Sequence, residues 1–308
     1  MAAVTRIMLA LAALALAPQA VSQTKLTVGF TGANAFMPAF VAKDQGFFAK
    51  RGLDVSMQLV PVGSTLPGAI ASGSLQVGGL TAPVFLLANE GGVELQIAAS
   101  SSLQSKSNPT VGVVAREGLN IKTAADFRGK KVGAPGLNGV NHVIFLKWLK
   151  DGGVDSKQVT FVEASFPQMG DMLKGGQIDA ALPVEPFLGR ITQSKVGYRV
   201  AHYAAETADT YLESFWVMSK QFVQANPGAP AAFREAIREG VDFIAKNPEA
   251  ARKTQTTYLK LPEQIAMTIT LPTYAVDVPQ ASVQYWVDLC RDFGITKGTV
   301  GAAQLIAK

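Results

Sequence analysis

VGAPGLNGVNHVIF (132–145) repeats a pattern that stands 104 residues earlier in VGFTGANAFMPAF (28–40). Both stretches contain the order Val-Gly-x-x-Gly-x-Asn. Farther along, AIASGSLQVGGLTAPV (69–84) aligns with MLKGGQIDAALPVEPF (172–187) at an offset of 103 residues. Two matches in nearly the same register predict an internal repeat. We therefore expect two lobes that are built alike, each with strands, loops and helices in the same order.

Strand-like and helix-like segments alternate through both copies of the repeat. Short apolar runs at 26–30, 53–60 and 75–80 are separated by helix-like segments, and the pattern restarts at 132–134. This alternation predicts an α/β fold with mainly parallel sheets covered by helices on both faces. Residues 212–308 differ, because apolar residues such as Phe233 and Ile237 recur there at helical spacing. We expect this part to be mostly helical and to pack against a sheet.

The N-terminus has the features of a secretory signal peptide. Arg6 precedes an apolar run from Ile7 to Pro18, and Ala20-Val21-Ser22 supplies small residues for cleavage. The apolar run is shorter than the about 20 residues that a membrane-spanning helix needs. We therefore expect residues 1–22 to be removed and the chain from Gln23 onward to be exported.

Several chemical roles lack their usual motifs in this sequence. Cys290 is the only cysteine, which excludes an intramolecular disulfide and a metal cluster of thiolates. Pro135 occupies the place of the second glycine of a dinucleotide-binding loop, and the P-loop pattern is missing. The formal net charge of +5 is thinly spread, so nucleic acid is not an expected partner. We expect no cofactor and no metal ion.

Catalysis is not predicted by the residues either. The two histidines, His142 and His202, are 60 residues apart, and neither G-x-S-x-G nor H-E-x-x-H occurs. His142 has two interpretations in the first turn of a predicted helix. It is a structural residue with a satisfied hydrogen bond, or it lines a pocket. Binding of a ligand without chemistry fits the sequence better than an active site.

The expected ligand site lies where strands lead into helices, because open α/β sheets bind ligands beyond the carboxyl ends of their strands. Four stretches occupy that position, two in each predicted lobe: Thr31–Phe36, Leu80–Pro83, Pro135–His142 and Pro183–Glu185. Helix N-termini there offer unpaired N–H groups to the oxygen atoms of an anion. The predicted binding residues are Thr31, Gly32, Asn34, Phe36, Ser64, Thr81, Ala82, Gly136, Asn138, Gly139, Asn141, His142, Phe166, Glu185 and Trp216.

Several motifs of this chain resemble those of one family. VAKDQGFF (41–48), followed by GLDV (52–55), resembles the segment VAkdkGfFkkeGLdV of periplasmic solute-binding proteins of ABC importers. The branch is the nitrate/sulfonate/taurine type, also called the SsuA/THI5-like group. DFRGKKVG (126–133) resembles that group's DLkGKkVgv, and IDAA (178–181) with EPF (185–187) resembles its vDAa and EPf. The motifs occur in order and span nearly all of the chain after residue 22.

The resemblance implies a two-lobed type II periplasmic-binding-protein fold with the ligand cleft between the lobes. One lobe would comprise residues 23–115 plus 210–308, and the other residues 116–209. The implied function is to capture a small solute in the periplasm and to deliver it to the transmembrane subunits of an ABC permease and, through them, to the ATPase. We expect the protein to act as a monomer and not as an enzyme.

The class of solute stays open between two alternatives. No arginine lies in the four loops, so a bidentate clamp on a carboxylate is not predicted. A small organic anion (a sulfonate, a taurine-like compound or an aromatic carboxylate) held by helix ends and amides is the leading expectation. A pyrimidine-type vitamin precursor is the alternative, with Glu185 receiving its amino group. A pyrimidine-precursor synthase shares the implied fold, but it carries a CCCFC iron motif that Cys290 alone cannot provide.

Overall fold

The computed structural model describes residues 23–307 of the chain. The predicted signal peptide, residues 1–22, lies outside the described residues. Within the described part, no helix is both long enough and apolar enough to cross a membrane.

The strands of the described part are numbered in chain order. Their bounds are β1 Thr24–Phe30, β2 Leu53–Leu59, β3 Val77–Leu80, β4 Leu95–Ser105, β5 Val113–Arg116, β6 Lys131–Ala134, β7 Thr160–Glu163, β8 Ala180–Ala181, β9 Gly197–Ala201, β10 Thr210–Ser219 and β11 Thr273–Tyr274.

The α-helices follow the strands of each repeat and then dominate the C-terminal part. Their bounds are α1 Met37–Asp44, α2 Leu66–Ala71, α3 Ala82–Glu90, α4 Val140–Asp151, α5 Phe166–Lys174, α6 Phe187–Gln193, α7 Tyr203–Thr207, α8 Lys220–Ala225, α9 Ala229–Lys246, α10 Pro248–Tyr258, α11 Glu263–Thr268 and α12 Gln280–Asp292.

The strands form two sheets, each the centre of one lobe. The first sheet has the order β11-β4-β10-β3-β1-β2, and the second has the order β7-β6-β8-β5-β9. The chain crosses from the first sheet to the second between β4 and β5, and it returns between β9 and β10. The predicted lobe limits, 23–115 plus 210–308 and 116–209, stay a prediction; β5, which begins at Val113, pairs only within the second sheet.

The two sheets repeat one arrangement. The order β2-β1-β3-β10-β4 in the first sheet corresponds to β7-β6-β8-β5-β9 in the second. Val28 of β1 pairs with Val77 of β3, and Val132 of β6 pairs with Ala180 of β8. These pairs stand in the register that the sequence offsets of 104 and 103 require. The structure therefore carries the repeat that the sequence shows.

Two glycines of the repeat are needed for the same packing reason. A Cβ atom on Gly29 would lie 2.5 Å from Cδ1 of Leu75, and a Cβ atom on Gly133 would lie 2.8 Å from Cδ1 of Ile178. Leu75 and Ile178 are themselves aligned at the offset of 103. In both lobes, a branched apolar side chain packs directly onto the strand backbone at the point where the loop begins.

The sheets are mixed, which corrects the expectation of mainly parallel sheets. β1 runs parallel to β2 and β3, and β6 runs parallel to β7 and β8. The other pairings are antiparallel. Each of the strands β5 and β10 enters its sheet directly after a crossover. β10 runs antiparallel to β3 and β4, and β5 runs antiparallel to β8 and β9. The two-lobed α/β class itself is confirmed.

Strand β10 stands at the start of the part, residues 212–308, that the sequence predicts to be mostly helical. It spans Thr210–Ser219 and is buried along nearly its whole length, between β3 and β4. A strand that is buried on both faces shows no alternation of apolar and polar residues, so periodicity alone does not distinguish it from a buried helix. The helices predicted after it are present.

Helix α9 packs closely on α1 and thereby fixes the helix that follows the first loop of the repeat. Gly240 of α9 lies against the backbone of Pro38, and an added Cβ atom would overlap the Pro38 carbonyl oxygen. Phe233 of the same helix stacks on Phe48, with ring centroids 5.1 Å apart. The backbone of Pro38 has no flexible end that could move aside.

We predict that Gly240→Ala destabilises the protein by about 1–3 kcal/mol, because the added methyl group forces α9 away from α1. Gly68→Ala is the matched control, since Gly68 also lies in a helix but has open space around it. The control is expected to be neutral or slightly stabilising, because alanine favours a helix over glycine. Urea unfolding measures both. Equal stability of the two variants would contradict the packing described here.

Candidate functional site

A cavity lies between the two lobes, at the carboxyl ends of the repeat strands. From the first lobe, residues of the loops after β1, β2 and β3 line it, among them Thr31, Asn34, Phe36, Ser64 and Thr81. All five belong to the predicted binding residues. The three loops come from neighbouring parallel strands, which bring their carboxyl ends to one edge of a sheet.

The second lobe contributes the equivalent loops after β6, β7 and β8. Gly136, Gly139 and Asn141 follow β6, Phe166 follows β7, and Val184 follows β8. The first four of these are predicted binding residues. The structure thus brings nine of the predicted residues together around one cavity. That these residues contact a solute stays a prediction.

Two aromatic side chains form walls of the cavity from opposite lobes. Phe36 packs on Trp216, with ring centroids 5.0 Å apart, and Phe166 stacks on Phe187 at 5.7 Å. Trp216 is fully buried behind Phe36 and does not line the cavity. Trp216, a predicted binding residue, thus supports Phe36 from the core and is not part of the cavity lining.

Asn34 and Asn141 occupy the first turns that follow β1 and β6. The Asn34 side-chain Nδ2 donates to the Thr270 carbonyl oxygen at 3.0 Å, and Tyr274 donates to the Asn34 carbonyl oxygen at 3.1 Å. Asn34 therefore anchors its loop to the C-terminal part of the first lobe. By contrast, the side-chain oxygen of Asn141 is buried and has no hydrogen-bond partner among the described residues.

Helix α4 directs its N-terminus at the cavity. Its N-cap is Gly139, which supplies no side-chain cap, and the first turn holds no acidic residue. The N–H groups of this turn have no partner within the helix and carry a partial positive charge. The Tyr203 hydroxyl donates to the Asn141 carbonyl oxygen at 3.2 Å and fixes the turn from behind. This end of the cavity suits acceptor oxygen atoms of a solute.

His142 lies off the cavity, and so does Asn138. The backbone N–H of Asn138 donates to Nδ1 of His142 at 3.0 Å, and the imidazole packs edge-on against Phe161 at 4.4 Å. Burial lowers the pKa of His142 to about 4, so the ring is neutral at pH 7. The hydrogen bond expected of a structural His142 is therefore made at Nδ1 alone, because Nε2 is buried without a partner among the described residues. Asn138 adopts a left-handed turn with a φ of 61°.

Three more of the predicted binding residues do not line the cavity: Gly32, Ala82 and Glu185. The Glu185 carboxylate accepts from the N–H of Gly189 at 3.2 Å, in the first turn of α6. Desolvation by burial raises the pKa of Glu185, while the Gly189 hydrogen bond lowers it. Gly32 and Ala82 are neighbours of the lining residues Thr31 and Thr81.

Sequence reasoning missed the polar residues that line the cavity from the crossovers and from β10: Thr110, Glu213 and Ser214. The pairing of β10 with β4 shifts register between Leu212 and Ser214, so Glu213 has no partner of its own in the ladder. Such a bulge turns two consecutive side chains toward one side. Glu213 and Ser214 consequently both face the cavity.

Glu213 is the one charged side chain among the described residues that line the cavity. Ser102 donates to its Oε2 at 2.9 Å, and Ser102 and Ser214 lie 2.8 Å apart through their hydroxyl oxygens. Burial raises the pKa of Glu213 to about 7, against which the Ser102 hydrogen bond acts only in part. The signal in the sequence was an acidic residue within an apolar run, a pattern that Glu185 shares.

A family model described as NMT1/THI5 like matches residues 33–251 of the chain. The taurine-binding periplasmic protein of Escherichia coli is 27% identical over 234 residues, which cover 74% of this chain and 68% of that protein. The formylaminopyrimidine-binding protein of Halalkalibacterium halodurans is 24% identical over 215 residues, which cover 69% of this chain and 63% of that protein.

A solved structure with the same architecture is the alkanesulfonate-binding protein SsuA from Xanthomonas axonopodis pv. citri, bound to MOPS. It superposes with a TM-score of 0.78 at 18% identity, and the match covers 92% of this chain and 98% of that one. At this level of identity, the likeness shows the fold.

We predict that the stability of the ligand-free protein depends on pH through Glu213. The unfolded chain loses this proton near pH 4.5, but the folded protein keeps it up to about pH 7. The contribution of protonated Glu213 to the free energy of unfolding is complete below pH 4.5. It is lost as the pH rises to 7, which lowers the free energy of unfolding by about 3 kcal/mol. Glu213→Gln cannot ionise, so its stability relative to wild type should increase between pH 5 and pH 8.

Urea unfolding at several pH values measures this difference. Glu117→Gln, at an exposed position, is the matched control and should follow the wild-type profile. A profile of Glu213→Gln that runs parallel to wild type from pH 5 to pH 8 would rule out an ionisable, desolvated Glu213.

Proposed function

The chain belongs to the NMT1/THI5-like family, and we propose that it is the solute-binding component of an ABC importer. One observation carries this proposal: equivalent loops from two repeated sheets line a single cavity between the lobes. A solute in that cavity touches both lobes when they are closed. Its higher affinity for the closed arrangement then shifts the population toward that state.

We propose that the protein acts in the periplasm as a monomer, after removal of residues 1–22. The closed, solute-loaded form delivers its solute to the transmembrane subunits of a permease, which the ATPase subunits drive. The name of the Escherichia coli relative, a periplasmic taurine-binding protein, supports this location. The binding-protein names of the relatives also support capture of a solute without chemical change.

The leading solute class is a small organic compound with an anionic group, such as a sulfonate or an aromatic carboxylate. The uncapped first turn of α4 offers N–H groups to the anion's oxygen atoms. The side-chain oxygen of Asn141, buried without a partner among the described residues, is an acceptor for a donor group elsewhere on the solute. Phe36 and Phe166 provide flat apolar walls for the body of the solute.

A pyrimidine-type solute is the alternative, and one observation favours it. Glu213 lines the cavity and is able to accept from an exocyclic amino group, the role that the sequence suggested for Glu185. Aromatic walls at Phe36 and Phe166 would stack on the ring of such a solute. The formylaminopyrimidine-binding relative supports this class at the level of the family.

We predict that a screen of sulfonates, aromatic carboxylates and aminopyrimidines contains compounds that raise the thermal unfolding temperature and are recovered unchanged. Asn141→Ala should lower the affinity for the compound that binds most tightly by about ten-fold or more in calorimetry, because a buried hydrogen bond is lost. Asn120→Ala, at an exposed position away from the cavity, is the matched control and should bind as wild type does.

Two results would contradict the proposal. Conversion of any bound compound to a product would show that the protein is an enzyme and not a binding protein. Equal affinity of wild type and Asn141→Ala for every stabilising compound would mean that the solute binds elsewhere than in this cavity.

A further inference from the structure

The position of Glu213 on a bulge sets it apart from the other polar residues of the cavity. Consecutive residues of a regular strand point to opposite faces, whereas Glu213 and Ser214 both line the cavity. The ladder between β10 and β4 shifts register on both sides of Ser214. The extra residue in β10 thus brings the carboxyl group of Glu213 to the cavity.

One oxygen of this carboxyl group remains available to a ligand. Oε2 accepts from Ser102 at 2.9 Å, whereas Oε1 accepts no hydrogen bond from residues 23–307. The side chain is nonetheless buried, with a relative exposure of 7%. Oε1 is therefore the oxygen that a donor on the solute can reach from the cavity, and such a donor would offset the cost of desolvating the carboxylate.

No cation of the described residues neutralises Glu213. A negative charge on Glu213 adds to the rise in pKa of three tyrosines, Tyr203 in α7, Tyr211 in β10 and Tyr274 in β11. Burial raises the pKa of each tyrosine above its ordinary value of 10, so all three are neutral between pH 6 and pH 8. Arg252 acts on Tyr274 and forms no ion pair with Glu213. The charge of Glu213 is therefore left for the solute to balance.

We propose that Glu213 determines which solutes the cavity accepts, by requiring a nitrogen donor such as an ammonium, amidinium or ring amino group against Oε1. This inference rests on the proposed solute-binding function and narrows its substrate class. The solute carries a donor nitrogen in addition to any group that binds at the N-terminus of α4. A solute that is only an anion meets a like charge in a desolvated cavity and binds poorly.

Two pairs of compounds test the requirement, because each pair exchanges an ammonium for a hydroxyl group and changes little else. The pairs are taurine with isethionate, and 4-(aminomethyl)benzoate with 4-(hydroxymethyl)benzoate. Calorimetry on the purified protein at pH 8 should show the amine of a pair binding at least about ten-fold more tightly than its hydroxyl partner. Glu213→Gln should abolish that preference.

Glu185→Gln is the matched control, because Glu185 is a second partly buried carboxyl group that does not line the cavity. It should keep the preference for the amine. The preference of wild type should also grow from pH 6 to pH 8 by roughly ten-fold, as Glu213 passes from mostly protonated to mostly ionised. In Glu213→Gln it should not change with pH. Circular dichroism of both variants checks that they are folded.

Equal binding of an amine and its hydroxyl partner by wild type would overturn the inference. So would a preference that survives in Glu213→Gln, or a best ligand from the wider screen that has no donor nitrogen. Failure of the proposed solute-binding function gives a different result, in which no compound of the screen binds wild type. The inference about Glu213 is then wrong as well.

Discussion

The antiparallel insertion of β10 between β3 and β4 is the constraint on which the cavity depends. β10 returns the chain from the second sheet and closes the first sheet at its centre. Its ladder with β4 extends from Thr210 to Ser219, interrupted by the bulge at Glu213. Because β4 pairs with the strand along its length and β3 pairs with it at Phe215–Val217, the bulge presents the same side chains to the cavity. A carboxyl group without a cationic partner is therefore held in the space where a solute would bind.

The walls of the cavity are supported by packing that extends into the core. Phe36 lies on Trp216, and Trp216 lies edge-on to Phe233 at 5.8 Å. Ser101 is the residue of β4 left unpaired on the other side of the bulge, and its hydroxyl donates to the Ala35 carbonyl oxygen at 2.7 Å. The loop after β1 is thus tied to the strand that pairs with β10. Such support favours a preformed first-lobe surface, onto which the second lobe closes.

The repeat in the sequence predicted most of the fold and the position of the cavity. The matched stretches identify the loops after β1, β3, β6 and β8, and nine predicted residues do line the cavity. The antiparallel strands could not be predicted from the repeat, because β5 and β10 follow crossovers and lie outside the matched stretches. Glu213 was missed for this reason: a bulge depends on the partner strand, which the local sequence does not reveal. Glu185 and His142 have the residue types of a binding site, but their hydrogen bonds are within the protein.

The most direct measurement is the titration of the Glu213 side-chain carboxyl carbon by NMR, in the presence and absence of an amine-bearing solute. We expect a pKa near 7 for Glu213 in the free protein. We also expect a clear decrease of that pKa when 4-(aminomethyl)benzoate or taurine, whichever binds, is added, because the ammonium stabilises the carboxylate. The Glu213→Gln spectrum assigns the signal. A free-protein pKa near the ordinary value of 4.5, unchanged by a bound amine, would contradict the claim that Glu213 faces the solute.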